Sequence, residues 1–192
     1  MTASTSPRER ITKTALNLFY IHGYGAVGTN QICAEASVNK STLYHLFPSK
    51  IDIMLVVLDL YAEDIASKFK HIAQSKKPSE AKLDLIFKTP FQTNKELKDK
   101  FGNVPGCFVG NIALELAARE ERVRVHIASV LETWAKAIEP IVREMITDPN
   151  SNVEEVAYSI VAYLQGAILL AKTENNPERI VSHAKSAAML IP

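Results

Sequence analysis

Two short helical patterns, joined by three residues and followed at once by a long one, constrain this chain more than any other feature. They occupy TNQICAEASVNKSTLYHLFPSK, residues 29–50. Ile32 and Ala36 share one face of the first pattern, Leu43 and Phe47 share one face of the second, and Val38 lies in the Ser37-Val38-Asn39 connection. Thr29 is expected to N-cap the first helix, which runs to about Ala36, because its hydroxyl can accept an orphan backbone N–H. The second helix is expected from Lys40 to Phe47, with Pro48-Ser49 breaking it and Ser49 capping the next. Two short helices packed across a tight turn make a helix-turn-helix. Turning the apolar set inward leaves Lys40, Ser41, Thr42, Tyr44 and His45 facing out. Lys40 can donate to a phosphate or a guanine edge. Thr42 offers a hydroxyl and a methyl, and Tyr44 and His45 can reach phosphates or base edges. Thr29, and Lys50 at the next helix N-terminus, complete the expected DNA-binding set.

Helical periodicity governs the rest, and no segment sustains a two-residue alternation. A first helix follows Pro7 and ends near Gly23, with Ile11, Ala15, Leu18, Phe19 and His22 on its stripe. The fourth runs from about Lys50 to Gln74, with Ile53, Val57, Tyr61, Ile65, Phe69 and Ile72 on one stripe. A fifth is expected near Glu80–Lys88. Pro90, Gly102, Pro105 and Gly106 then predict a short helix between loops. Further helices are expected at Phe108–Arg119, from there to about Ile146 with a bend at Pro140, at Asn152–Lys172 and at Pro177–Leu190. The fold class is all-α: an N-terminal three-helix helix-turn-helix head, residues 1–48, and a body of about six helices for regulation and dimerisation, residues 49–192.

The run GYGAVGTNQICAEASVNKSTLYHLFPSK, Gly23 to Lys50, resembles the DNA-binding head of the TetR family of one-component regulators. The S-T-L-Y-x-x-F-x-S-K segment, with a Gly-aromatic turn about twenty residues earlier, carries the resemblance. It implies a homodimer whose two heads read a pseudo-palindromic operator on double-stranded DNA. It also implies a body pocket whose small-molecule effector changes the head spacing, with repression the usual polarity. Two positions depart from the family pattern. Ser37 stands where glycine is usual, and Leu46 stands where a polar aromatic or histidine is common, so Leu46 is left out of the DNA-binding set.

In the body, the stretch VPGCFVGNIALELAAR, residues 104–119, resembles the branch of the family that responds to reactive electrophiles and quinones. There the resemblance implies Cys107 as a candidate redox-sensing thiol. A reactive thiol needs a depressed pKa, and the start of a helix is the right kind of place for one. The alternative is a small buried hydrophobe, which is also the expectation for Cys33. An effector cavity would be mainly apolar with a few polar groups. Its candidates are Tyr61, Ile65, Phe87, Phe91, Phe108, Asn111, Glu115, His126, Val130 and Trp134, a set that favours a neutral or weakly polar ligand. The penultimate helix, apolar on nearly every side, is expected to pair with the last in an intersubunit four-helix bundle. The interface candidates are Val156, Ile160, Tyr163, Gly166, Ala167, Leu170, Ile180, Ala184 and Ala187. Helix 4, linking Lys50 to Tyr61 and Ile65, is the expected lever of a population shift.

Composition narrows the function classes. The chain is 47% hydrophobic and 22% charged, so it can bury a core. Residues 1–50 carry a surplus of three positive charges and the remainder a deficit of two, which fits a head that meets phosphates. No apolar run reaches the roughly 18 residues of a membrane span, and MTASTSPRER lacks the apolar stretch of a leader. The expectation is therefore a cytoplasmic chain without membrane contact. No cofactor, metal or enzymatic role is expected, since the chain has no phosphate-cradling glycine loop, no H-E-x-x-H, and histidines scattered one per helix. A DNA-binding protein of the architectural kind, with no effector, remains as the alternative.

Overall fold

The computed structural model describes residues 6–192, so the first five residues of the segment read for a leader lie outside the described residues. Among the described residues there are ten helical segments and no strand. They are α1 (Pro7–His22), α2 (Thr29–Glu35), α3 (Lys40–Leu46), α4 (Lys50–Gln74), α5 (Ser79–Phe101), α6 (Phe108–Leu116), α7 (Glu121–Met145), α8 (Val153–Thr173), α9 (Glu178–Ser182) and α10 (Ala184–Ala188).

Side-chain caps fix the starts of three of the first four helices. Ser6 and Glu9 form a reciprocal capping box at α1, with Pro7 in the first turn. Asn39 caps α3 by accepting Thr42 N–H at 2.7 Å, and Ser49 caps α4 by accepting Asp52 N–H at 3.2 Å. The cap of α2 is Gly28, with no side-chain bond. Thr29 is the first helical residue rather than the cap, and its hydroxyl points to a different use, described below.

α1, α2 and α3 pack together through Ile11, Ala15, Leu18, Phe19, Ile32, Cys33, Ala36, Leu43 and Phe47, all buried, and α1 also lies on α4. His22, placed by periodicity on the α1 stripe, is exposed at the helix end. α7 packs most extensively on α8 and α4. Two stretches differ from expectation. α5 does not stop near Lys88 but runs unbroken through Pro90 to Phe101. Proline removes one intrahelical N–H, yet Pro90 is buried beside Ile86 and Phe87, and Asn94 Nδ2 donates to its carbonyl at 2.9 Å. Good helix formers follow, and Gly102, at φ +84°, ends the helix. The final helix is two short segments meeting at His183, whose Nδ1 lies 2.9 Å from the Tyr163 hydroxyl.

α8 is not apolar on all sides in the way periodicity had it. It buries Ala157, Ile160, Val161, Leu164, Ala167, Ile168 and Ala171 against its neighbours, while Tyr158, Ala162, Gly166, Leu169 and Leu170 form an exposed stripe. By length and composition alone α8 could cross a membrane, but its seven buried residues pack on α7, α9 and α10 as a core helix would.

Candidate nucleic-acid interface and its link to the body

The turn between α2 and α3 is built on a strained residue. Ser37 has φ +52°, the left-handed region that costs a residue with a Cβ on the order of 1 kcal/mol. Backbone bonds hold it there: Val38 N–H reaches back to Cys33 O at 3.0 Å and Ser37 N–H to Ala34 O at 3.3 Å. Arg10 of α1 adds a clamp that sequence reasoning missed. Its Nε donates to Ala36 O at 3.0 Å and its Nη2 to Ser37 O at 3.5 Å, satisfying carbonyls at the end of α2. A basic residue 26 positions before its partner leaves no local sequence signal.

With Leu43 and Phe47 buried, α3 turns Lys40, Ser41, Tyr44 and His45 outward, and Thr42 is half-buried. The Thr29 hydroxyl lies 3.2 Å from that of Tyr44, so the first turn of α2 positions an aromatic side chain of α3. Lys50 sits apart from this face. Its ammonium lies 3.9 Å from the Tyr24 ring centroid, and partial burial lowers its pKa against an opposing pull from Glu115. At the far end of α3, Arg8 lies over the Phe47 ring at 4.7 Å and its Nη1 reaches Leu46 O at 3.5 Å. Two arginines of α1 thus brace the motif from behind.

The head is tied to the body at α6. The two carboxylate oxygens of Glu115 accept the backbone N–H groups of Tyr24 and Gly25, at 3.0 and 2.6 Å. Tyr20 of α1 donates its hydroxyl to Gly106 O at 2.8 Å, while its ring packs on Tyr61 and Phe108. Burial raises the pKa of Tyr20 and of Tyr61, so both stay protonated donors.

The expected effector residues are not gathered round one cavity. Ile65, Phe87, Phe108 and Trp134 are buried core residues, and Trp134 Nε1 donates to Ala62 O at 3.1 Å. Tyr61 and Phe91 pack against that core. His126 and Val130 line a groove of about 550 Å³ between α4 and α7, where His126 Nε2 lies 2.9 Å from Asp59 Oδ1. That pairing is close in distance but off the geometry of a good hydrogen bond, so it binds the two helices weakly. Asn111 lines a second groove, between α6 and α8, of about 320 Å³, whose walls include Ile127, Leu131, Ile168 and Leu169. Glu115 is engaged by the head instead. Periodicity could mark these residues as inward, but not which helix each would meet.

Cys107 is the N-cap of α6, its sulfur 3.5 Å from Gly110 N–H at one edge of the α6–α8 groove. Burial pushes its thiol up, outweighing the helix N-terminus, so the depressed pKa that a sensing thiol requires is not found here. Cys33 is buried on α2 as expected. Of the interface candidates, Ile160, Ala167, Ile180, Ala184 and Ala187 are buried in the chain's own core and are not free to face a partner. Val156 and Tyr163 are half-buried, and Gly166 and Leu170 lie on the exposed α8 stripe.

Residues 11–57 match the family model described as bacterial regulatory proteins, tetR family. Residues 97–187 match one described as tetracyclin repressor-like, C-terminal domain. The chain is 27% identical over 194 residues to the uncharacterized HTH-type transcriptional regulator YxaF of Bacillus subtilis, covering all of this chain and 98% of that protein. It is 25% identical to the HTH-type transcriptional repressor DhaR of Mycobacterium sp. GP1, over 92% of this chain and 87% of that one. Its fold is similar to a crystal structure of a regulatory protein TetR from Rhodobacter sphaeroides. The TM-score is 0.82 at 24% identity, covering 98% and 100% of the two chains.

Proposed function

The chain belongs to the TetR family of helix-turn-helix transcriptional regulators, and from that membership we propose that it is a repressor released from its operator by a small molecule. The family binds DNA operators as dimers. The observation that carries the reading is α3 itself: one face buried on α1 and α2, the other presenting Lys40, Ser41, Tyr44 and His45 to solvent. Thr42 supplies a half-buried hydroxyl and methyl at the rim, and Thr29 orients Tyr44. Lys50 rests over the Tyr24 ring beside this face and would have to leave it to meet the flanking backbone. Residues 1–48 act as the reading head and 49–192 as the sensing and pairing body. Repression as the polarity is drawn from the family and from the name of the Mycobacterium relative.

The exposed α8 stripe of Tyr158, Ala162, Gly166, Leu169 and Leu170, with Met189 and Leu190 nearby in sequence to α10, is the proposed pairing surface. Its small residues admit close approach of a second helix, and its large ones supply apolar area. The α6–α8 groove, apolar with Asn111, Gln165 and Lys172 as its polar groups, is the proposed effector site; it shares Gly166 and Leu169 with the pairing stripe, so it lies at the edge of the proposed interface. It suits a neutral or weakly polar ligand held without a covalent bond.

The test is fluorescence anisotropy with the DNA upstream of the protein's own gene against a scrambled sequence of equal length, at fixed salt. A regulator discriminates between them by orders of magnitude. Equal affinity, falling steeply with salt for both, would instead make this an architectural DNA-binding protein.

A further inference from the structure

The loop between α5 and α6, residues 102–107, is held by side chains from several helices at once. Asn175, just past α8, accepts Val104 N–H at 2.9 Å and donates to Gly102 O at 3.2 Å. Asn111 of α6 donates to Pro105 O at 2.8 Å. Gly106 is held from both sides: its N–H donates to Asn94 Oδ1 of α5 at 2.9 Å, and its carbonyl accepts the Tyr20 hydroxyl of α1 at 2.8 Å. Asn94 is 1% exposed and is anchored in turn on Pro90 O. Gly106 has φ +89°, and a Cβ there would lie 3.0 Å from Lys172 Cδ and 3.4 Å from Asn111 Oδ1, so both conformation and space call for glycine.

We propose that Pro90, Asn94, Gly106 and Tyr20 form the joint through which a displacement of α5 in the body reaches α1 in the head. This rests on the regulator reading above and adds the route of its regulation. Asn94 and Tyr20 are positioning residues. Neither is on the outward face of α3, and each acts through the Gly106 backbone. The bonds are buried or half-buried, so water does not readily replace a lost partner and the members move together. A shift of Asn94 turns Gly106 about its own dihedrals and withdraws the acceptor from Tyr20. The ring contacts of Tyr20 and the packing of α1 on α4 persist, and the hydrogen-bonded tie between head and body that remains here is the Glu115 grip on Tyr24 and Gly25.

Hydrogen–deuterium exchange on the full chain tests the joint, with Tyr20→Phe and Asn94→Ala. Tyr20→Phe keeps the ring contacts and removes only the hydroxyl. It is expected to speed exchange at the Gly106 amide, which Tyr20 does not touch, by roughly tenfold, the effect of one lost hydrogen bond. Asn94→Ala is expected to speed exchange at Tyr24 and Gly25. If Asn94→Ala does not fold, Tyr20→Phe decides alone, and a Gly106 amide that exchanges as in the parent overturns the joint. Anisotropy with the upstream DNA supplies the second arm: the double variant is expected to bind no more weakly than the weaker single. Multiplying losses would mean two independent contacts and no joint. A parent protein that cannot tell upstream from scrambled DNA would sink the regulator reading instead, and the exchange result would still decide the joint.

Discussion

Glu115 of α6 grips the backbone of Tyr24 across 91 residues of sequence, one carboxylate oxygen on the Tyr24 N–H and the other on that of Gly25. The turn is shaped to admit it. A Cβ at Gly23 would lie 3.3 Å, and one at Gly25 3.0 Å, from a Glu115 oxygen, and Gly23 is at φ +81°. The Tyr24 ring then carries Lys50, so one carboxylate on the body orders a cation at the foot of the DNA-binding motif. Glu115→Gln keeps the shape but sets an NH2 donor against an N–H donor. Two hydrogen bonds to a charged group, one half-buried and one exposed, justify an expected loss of about 1–2 kcal/mol. Urea denaturation measures it, and an unchanged midpoint at unchanged slope would mean that the grip contributes nothing.

Ser37 predicts a gain rather than a loss. At φ +52° its Cβ is strained, and the side chain is exposed to solvent. Ser37→Gly relieves the strain, and the greater freedom of the unfolded glycine takes part of it back. The expected net is a few tenths of a kcal/mol of added stability, up to about 0.6, read as a raised urea midpoint. A lowered midpoint would show that the hydroxyl has a partner that outweighs the strain.

Much of this was legible in sequence because it is local. The Ser37 strain was signalled by its departure from the glycine usual in the family, whereas the two motif helices and the Ser49 cap follow from neighbours within a few residues. Pro90 misled for the same reason. A local rule ends a helix at proline, but burial beside Ile86 and Phe87 and the Asn94 bond are tertiary. The effector set shows a different limit. Helical spacing told that Trp134, Phe108 and Phe87 face inward but not that each is a filled core position packed on another ring, Tyr61, Phe69 or Tyr163, leaving the grooves to Asn111 and to His126 with Val130. The same limit put Ile160 and Ala184 on a dimer face when they belong to the protomer core.

The outward face of α3 separates two kinds of contact. Lys40→Ala is expected to weaken upstream and scrambled DNA alike and to lower the salt slope by about 1, because a lysine on a phosphate releases a counterion without reading a base. Tyr44→Ala and His45→Ala are expected to cost about 1–3 kcal/mol on the upstream DNA and little on scrambled DNA. Tyr44→Phe, which removes only the hydroxyl pair with Thr29, should fall between the parent and Tyr44→Ala. Salt titrations by anisotropy give both quantities. Equal losses on both DNAs for Tyr44→Ala would remove it from base reading.

Cys107 caps α6, is buried and is held in its thiol form by desolvation, so native protein should resist iodoacetamide near neutral pH. Intact-mass spectrometry is expected to show neither Cys107 nor Cys33 labelled until denaturant is added, with native labelling of Cys107 appearing only in alkali as the raised pKa is approached. Rapid single labelling of native protein at neutral pH, lost in Cys107→Ser, would restore the sensing thiol.

Two paired carboxylates, Asp52 at the start of α4 and Glu144 of α7, contribute to the acid dependence of stability. The Ser49 hydroxyl and the Arg122 guanidinium, 2.8 Å away, hold the Asp52 carboxyl below its usual range. Ser79 and Lys82 do the same for Glu144. Both groups therefore bind a proton more readily when the chain is unfolded. Their stabilisation is complete above the unfolded carboxylate values, about 3.9 for Asp and 4.3 for Glu, and is lost as pH falls through the lower folded values. Thermal melts from about pH 6 down to about pH 3 should show a flat upper region and a decline that Asp52→Asn makes shallower while lowering the plateau. Since Asp52 also receives Arg122 from α7, Arg122→Ala should flatten the same part of the curve. If the two single variants leave the acid slope of the parent intact, the α4–α7 pair is not what acid breaks.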